Sequence, residues 1–380
     1  MSLTGTAFFY VLIAATVLAM VATLFAWGAV RGPRPVRWLT RVVMIAICQI
    51  TAIAVVAAWI NNSYGLYTDW NDLLGRDNGT QMAAMPGPPP GRAMFTRSGN
   101  GLLETYVHGE HSKLSGQVLV WTPPQYDERQ NRTKSFPVIM LLHGIPGSPL
   151  SWVEGLNMPG MIAKLMASGQ VKPAVVVIPV IDPGGVDTDC SDTPTRKNAT
   201  WLAKDVPELI RSQFRVLPEA KAWGMLGYST GGLCSVKLAM QYPASFAVAA
   251  AMSPDSFAGD SAVLKDPVLR KANSPLALAD KWPRVWIFLA TAAKDHSSPP
   301  SNLTALQRVA IPPTLVAEPL VLATGGHSPN TWVRLLPTEL HWMSDNLDPA
   351  RVLAPPKKPA PKPQPKHPLP SPKHSAGPAH

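Results

Sequence analysis

Two uncharged stretches near the start of the chain restrict its architecture more than any other feature. From Ala7 to Val30 the sequence AFFYVLIAATVLAMVATLFAWGAV contains no charged side chain, and as a helix it exceeds the roughly 30 Å of a bilayer's hydrocarbon. A second uncharged run, VVMIAICQITAIAVVAAWI, extends from Val42 to Ile60, with Gln49 its main polar interruption. A cleaved signal sequence competes as a reading of the first run, but the apolar part is too long and no basic region precedes it. The connector RGPRPVRWLTR holds Arg31, Arg34, Arg37 and Arg41, and short basic loops are retained on the cytoplasmic side. The sequence therefore predicts two transmembrane helices over 1–61, a cytoplasmic connector, and everything beyond about Asn61 in an extracytoplasmic space. Trp59, Tyr64, Tyr67 and Trp70 fit either an interfacial aromatic belt or packing against the following domain.

The net charge of +10 would suggest an anionic partner if it formed one surface, so its distribution matters more than its size. Four of the basic residues are the connector arginines, and Lys357, Lys358, Lys362, Lys366 and Lys373 crowd the C-terminal end. The charge is thus topological and tail-borne, which argues against a nucleic-acid-binding face. Much of the excess of proline, 41 residues in all, lies in two segments. Residues 62–93 are membrane-proximal and include 76–92, RDNGTQMAAMPGPPPGR, which has turn chemistry and no apolar period and reads as a spacer. Residues 349–380 read as an extended, polyproline-like disordered tail, either a solvated spacer or a contact for anionic envelope polymers.

Between them, 94–348 has the pattern of one folded domain. Leu102 to Val107 and Ser115 to Trp121 suggest an opening antiparallel hairpin. Phe136 to Leu142 and Ala174 to Val180 are short, continuous apolar runs, as expected of strands buried on both faces. Met161 to Ala167, Trp201 to Phe214, Leu233 to Gln241 and Thr331 to Met343 have helical spacing. Further strand candidates are Ala222 to Leu226, Phe246 to Ala251, Val285 to Ala290 and Thr314 to Leu322. Such alternation predicts an α/β domain with a mostly parallel central sheet and helices on both faces. Residues 253–282, with many turn formers, suit a small cap over the sheet's edge.

The segment GMLGYSTGG places G-x-S-x-G at a strand-to-helix junction, with Ser229 at its centre. Such a turn is too sharp for side chains beside the serine, so Gly227 and Gly231 allow it to hold Ser229 in a strained conformation. The N–H of Thr230 then points at a developing oxyanion. A serine hydroxyl is a weak nucleophile and needs a positioned base. His327, in TGGHSPNTW after the last strand candidate, suits that role better than His341, which belongs to a helical pattern. Asp295, in TAAKDH after the strand VWIFLA, is the expected acid, with Asp255 in SPDSF the alternative. The loop His143-Gly144-Ile145-Pro146-Gly147 offers a second oxyanion donor. Ile145 is favoured because Pro146 lacks an N–H and Gly144 serves the turn, and His143 reads as a structural hydrogen-bonding residue.

Taken together, PVIMLLHGIPGSPLSW, GMLGYSTGG and GGHSPNTWVRLLPTELHW resemble the esterase family that includes esterase D, enterochelin and feruloyl esterases, and the mycolyltransferase antigens of mycobacteria. The resemblance covers about 100–347 and implies the α/β-hydrolase fold. It places Ser229 and His327 at the nucleophile and base positions, Ile145 and Thr230 at the oxyanion hole, and Asp295 near the acid position, where some members carry glutamate. The N-terminal spans and the tail fall outside it, although similar membrane-anchored esterases occur in actinobacteria.

Cys48 lies within the second apolar run, whereas Cys190 and Cys234 suit a disulfide in an oxidising compartment. No spacing calls for a metal or a cofactor. These readings converge on an extracytoplasmic serine ester hydrolase acting on an ester-containing small molecule or an envelope lipid or glycan. An acyltransferase using the same residues, and a non-catalytic envelope-binding module on a hydrolase scaffold, are the alternatives.

Overall fold

The computed structural model describes residues 6–64, 93–98 and 101–353. The expected spacer, with Tyr67 and Trp70, and nearly all of the expected tail lie outside the described residues.

Helices α1 (Thr6–Ala26) and α2 (Arg34–Tyr64) form the N-terminal part. Helix α2 begins well before the predicted start at Val42. The only proline it contains, Pro35, falls in its first turn, where a missing N–H costs nothing. Arg34, Arg37 and Arg41 are therefore helical, and Arg41 donates to the Trp27 carbonyl at 3.2 Å while lying over its ring. The helices touch at Thr23 and Cys48, whose Oγ1 and Sγ are 3.4 Å apart. Leu18, Leu24 and Phe25 of α1 and Ile50 and Ile53 of α2 are exposed on their outer faces. Phe8–Ala26 and Arg34–Trp59 are long and apolar enough to cross a membrane.

The described residues beyond α2 build a sheet covered by helices. Its strands are β1 (Thr96–Arg97), β2 (Leu103–His108), β3 (Ser115–Trp121), β4 (Lys134–Ser135), β5 (Val138–Leu142), β6 (Val175–Pro179), β7 (Trp223–Tyr228), β8 (Val248–Met252), β9 (Trp286–Ala292), β10 (Leu315–Val316), β11 (Leu320–Leu322) and β12 (Arg351–Val352). Ten of them join in the order β1-β2-β3-β6-β5-β7-β8-β9-β10, with β11 also on β9, and β12 pairs separately with β4. The first three strands are antiparallel to their neighbours, and pairing from β6 through β11 is parallel.

Both faces are covered by helices: α3 (Met158–Ala167), α4 (Val206–Gln213), α5 (Thr230–Gln241), α6 (Pro300–Val309) and α7 (Pro329–Asn346). Successive side chains of a strand point to opposite faces. Met140, Val177, Met225, Ala249 and Ile287 accordingly pack with α4, α5 and α6, through Leu209, Val236 and Leu303 among others. Ile139, Val176, Leu226 and Ala250 pack on the other side with Ile162 of α3 and Leu335, Leu340 and Met343 of α7. This double burial explains why the central strands read as unbroken apolar runs. Helix α7 approaches β7 so closely that a Cβ on Gly224 would come within 2.5 Å of the Met343 methyl.

Several expectations need correction. The predicted strand 314–322 is two short strands, because Pro319 between them has no N–H to give to the ladder. Helix α6 was not anticipated; its prolines sit at the N-terminal end, where they start a helix rather than break one. Residues 253–282 contain the short helices Pro267–Ala272 and Pro275–Leu278, capped by the Asp266 and Ser274 side chains. The folded domain also runs past 348. Arg351 and Val352 pair with Ser135 and Lys134, and Arg351 bridges Glu219 at 2.9 Å.

Candidate active site

The site forms where the parallel strands end. Strand β7 closes at Tyr228, and Ser229 follows with φ 55° and ψ −129° before α5 begins at once with Thr230. A non-glycine residue in this region costs about 1–3 kcal/mol, so its surroundings must enforce it. Here they do so through hydrogen bonds on both sides. Ser229 donates its N–H to the Met252 carbonyl at 3.1 Å, and its own carbonyl accepts from Gly232, Leu233 and Asp255. The turn is tight enough that a Cβ at 227 would sit 2.0 Å from the Gly231 carbonyl oxygen, and one at 231 would sit 2.2 Å from that of Leu142. Gly227 and Gly231 are thus required by contact as well as by curvature.

His327 arrives from the loop after β11. Gly325, with φ +126°, bends this loop, and Gly326 N–H donates to the Thr331 hydroxyl at the start of α7. The His327 Nε2 lies 2.9 Å from Ser229 Oγ, and Nδ1 lies 3.1 Å from each carboxylate oxygen of Asp295. An aspartate on Nδ1 keeps the ring proton there and leaves the Nε2 lone pair facing the hydroxyl. An aromatic column supports the ring: His327 meets Trp332 edge-on at 5.3 Å, Trp332 stacks on Tyr228 at 4.3 Å, and Tyr228 lies against Trp152. Sequence reasoning did not single out Trp332 or Trp152. The tryptophan five residues after His327 was the available signal.

Asp295 is buried, and its Oδ1 also accepts from the N–H groups of Ser297 and Ser298. Burial alone would raise its pKa. The hydrogen bonds from His327 and Ser298 outweigh that, and hold the carboxyl below its usual range. Asp255, the alternative acid, does not reach the imidazole by a hydrogen bond. Its Oδ2 accepts from the Thr230 hydroxyl at 2.6 Å, and its Oδ1 lies 3.3 Å from Ser229 Oγ. Burial pushes this carboxyl upward, with a smaller push from Asp260, against the lowering effects of the Thr230 bond and His327. The serine has one proton to give. At 3.3 Å the Asp255 contact is long for an O–H···O bond, so the 2.9 Å contact to His327 is the stronger.

His341 is exposed on α7, where its Nδ1 donates to the Gln170 carbonyl at 2.7 Å, away from Ser229. His143 is fully buried at the end of β5. Its Nε2 accepts from Ile181 N–H, so Nδ1 carries the proton and donates to the Gly144 carbonyl. Burial pushes its pKa down to about 4, which fits a neutral, structural ring.

The loop it anchors lies against the nucleophile: a Cβ on Gly144 would be 3.0 Å from that of Ser229. Among the described residues, neither Ile145 nor Thr230 spends its N–H on a protein acceptor. Cys190 and Cys234 are joined by a disulfide that ties the loop after β6 to α5, the helix that starts at Thr230. Lys237 of the same helix is fully buried, donating to the Asp189 carbonyl and the Ser191 hydroxyl.

Comparisons with known proteins identify the family and the fold that carry this site. Residues 113–343 match the sequence profile of the family described as "Putative esterase". A curated relative, an uncharacterized protein of Corynebacterium glutamicum, is 27% identical over 130 residues, which is 34% of this chain and only 30% of that protein's length. Among solved structures, a ferulic acid esterase superposes with TM-score 0.55 at 20% identity, covering 65% of this chain and 98% of its own. An S-formylglutathione hydrolase from Agrobacterium tumefaciens gives 0.54 at 17% identity, with 67% and 99% covered. The feruloyl esterase module from Clostridium thermocellum, complexed with sinapinate, gives 0.52 at 15% identity, with 70% and 94% covered. At such identities these structures share the fold with this chain.

Proposed function

The chain belongs to the esterase family of α/β-hydrolases, and from that premise we propose that it is a membrane-anchored serine ester hydrolase working through an acyl-serine intermediate outside the cytoplasm. The observation that carries this reading is the unbroken line Ser229 Oγ, His327 Nε2, His327 Nδ1 and Asp295, at 2.9 and 3.1 Å. Ser229 Oγ attacks the ester carbonyl while His327 Nε2 takes its proton. The carbonyl oxygen gains negative charge and receives the N–H groups of Thr230 and Ile145. The imidazolium, stabilised by Asp295, returns the proton to the departing alcohol as the C–O bond breaks. Water then attacks the acyl-serine by the same proton route in reverse, releasing the acid and restoring the hydroxyl. Replacing that water by an alcohol would make the same residues an acyltransferase.

Hydrolysis of a short p-nitrophenyl ester by the full chain in detergent tests the reading. Wild type is expected to turn it over, and Ser229→Ala to lose at least about a thousandfold in kcat while keeping its melting temperature. Equal rates in both proteins would contradict it. Adding a sugar acceptor and analysing the products separates hydrolysis from transfer.

The outward orientation is supported by the arginines between the two helices, which favour a cytoplasmic connector. The disulfide suits an oxidising compartment. Protease added to spheroplasts is expected to degrade the hydrolase domain; a domain protected until the membrane is opened would reverse the topology.

A further inference from the structure

Asp255 touches the nucleophile without belonging to the proton relay, and it is fixed there unusually firmly. Its Oδ1 is 3.3 Å from Ser229 Oγ, its Oδ2 accepts from Thr230 Oγ1 at 2.6 Å, and its N–H donates to the Ser229 carbonyl at 3.3 Å. Asn302 of α6 holds the turn from behind. Its Nδ2 donates to the carbonyls of Pro254 and Asp255 at 3.1 and 3.0 Å, and its Oδ1 accepts from Phe257 N–H at 3.0 Å. The residue is nevertheless not fully enclosed, and its carboxyl borders the space beside Ser229 Oγ.

Other carboxylates lie around Asp255. Asp260, from the turn that follows, and Asp187 and Asp189, from the loop after β6, all interact electrostatically with Asp255. Lys237, which interacts with Asp187 and Asp189, is fully buried and already bonded to the Asp189 carbonyl and Ser191. From the remaining side, His327 faces Asp255. A substrate group bound within a few ångströms of Ser229 Oγ thus sits beside a fixed carboxylate, where like charges repel.

We propose that Asp255 is a specificity-determining residue that rejects esters carrying negative charge close to the scissile carbonyl and admits those that are neutral or cationic there. This rests on Ser229 being the nucleophile. It gives a built-in discrimination by repulsion, the element of specificity that shape alone does not supply.

Two esters of similar size test it: ethyl butyrate, which is neutral, and monoethyl succinate, which carries a carboxylate near the ester. The full chain in detergent, assayed in mildly alkaline buffer, is expected to prefer the butyrate. Asp255→Asn is expected to reduce the ratio of the two kcat/KM values by about tenfold or more, while Asp255→Glu, which retains the charge, preserves most of it. In wild type the ratio should narrow as salt is raised, because screening weakens the repulsion. A purely structural role for Asp255 would lower both rates in parallel and leave the ratio unmoved. An unchanged ratio in Asp255→Asn, or a wild type indifferent to the charge, overturns the proposal. A wild type that hydrolyses neither ester and takes up no fluorophosphonate overturns the nucleophile assignment, and the proposal with it.

Discussion

Asp255 and Asp295 follow adjacent parallel strands, β8 and β9, and leave the sheet at the same edge, yet their pKa values are displaced in opposite directions. Asp295 is surrounded by donors: the imidazole and two backbone N–H groups. It is therefore held charged despite burial. Asp255 is displaced upward by burial, with a smaller push from Asp260, and the hydrogen bonds from the Thr230 and Ser229 hydroxyls do not offset it. What differs is the set of atoms each carboxyl meets. A carboxylate that orients an imidazolium needs to stay ionised, and only the β9 loop provides the donors for that.

The largest expected difference between the two loops lies in turnover. Asp295→Asn should lower kcat by about 10³–10⁴-fold, since the amide favours the wrong imidazole tautomer. Asp255→Asn should cost at most about tenfold with a neutral ester, because the relay does not pass through it. Steady-state kinetics on the two variants checks this directly; comparable losses would erase the distinction.

A smaller effect concerns how the β8 loop is held. Asn302→Leu removes the partner of two carbonyls and one N–H, and should destabilise the domain by about 2–4 kcal/mol. Denaturant unfolding of the variant measures this, and a loss under about 0.5 kcal/mol would mean that the turn stands without its clamp.

The smallest effect is also the most diagnostic in sign. Asp295 is displaced below its ordinary value of 3.8, so its contribution to stability is present above that pH and is lost as pH falls through the lowered value. Asp255 is displaced above 3.8, so its contribution is complete below that pH and is lost as pH rises through the raised value. At neutral pH, Asp295→Asn should therefore lower the melting temperature and Asp255→Asn should raise it slightly. Both differences should shrink in acid. Melting curves across pH measure the signs, and equal signs would contradict the assignment of the two environments.

The sequence reveals one of these loops better than the other, for a physical reason. The nucleophile turn is encoded locally: Gly227, Ser229 and Gly231 are neighbours, and the contact that excludes a Cβ at 227 is with Gly231 itself, although the one that excludes a Cβ at 231 is with Leu142 and His143. Two carboxylates at the ends of adjacent strands are not distinguishable in this way. Which of them meets His327 depends on where a loop from β11 returns, far along the chain. The contact of Asp255 with Ser229 has no local signature at all. The central strands were legible as unbroken apolar runs because both faces of the sheet are covered. The helix at Pro300–Val309 was hidden by its initiating prolines, and the break at Pro319 was hidden within an otherwise strand-like run. The pairing of Arg351 and Val352 with β4 was obscured by the proline-rich composition that follows immediately.

The proposed chemistry depends most on the identity of the attacking atom. Mass spectrometry of the full chain treated with a fluorophosphonate probe tests it, with the modified residue located by peptide mapping. A single adduct on Ser229 is predicted, formed quickly in wild type and at least about a hundredfold more slowly in His327→Ala. A folded wild type without an adduct, or one modified at a different residue, would contradict the assignment.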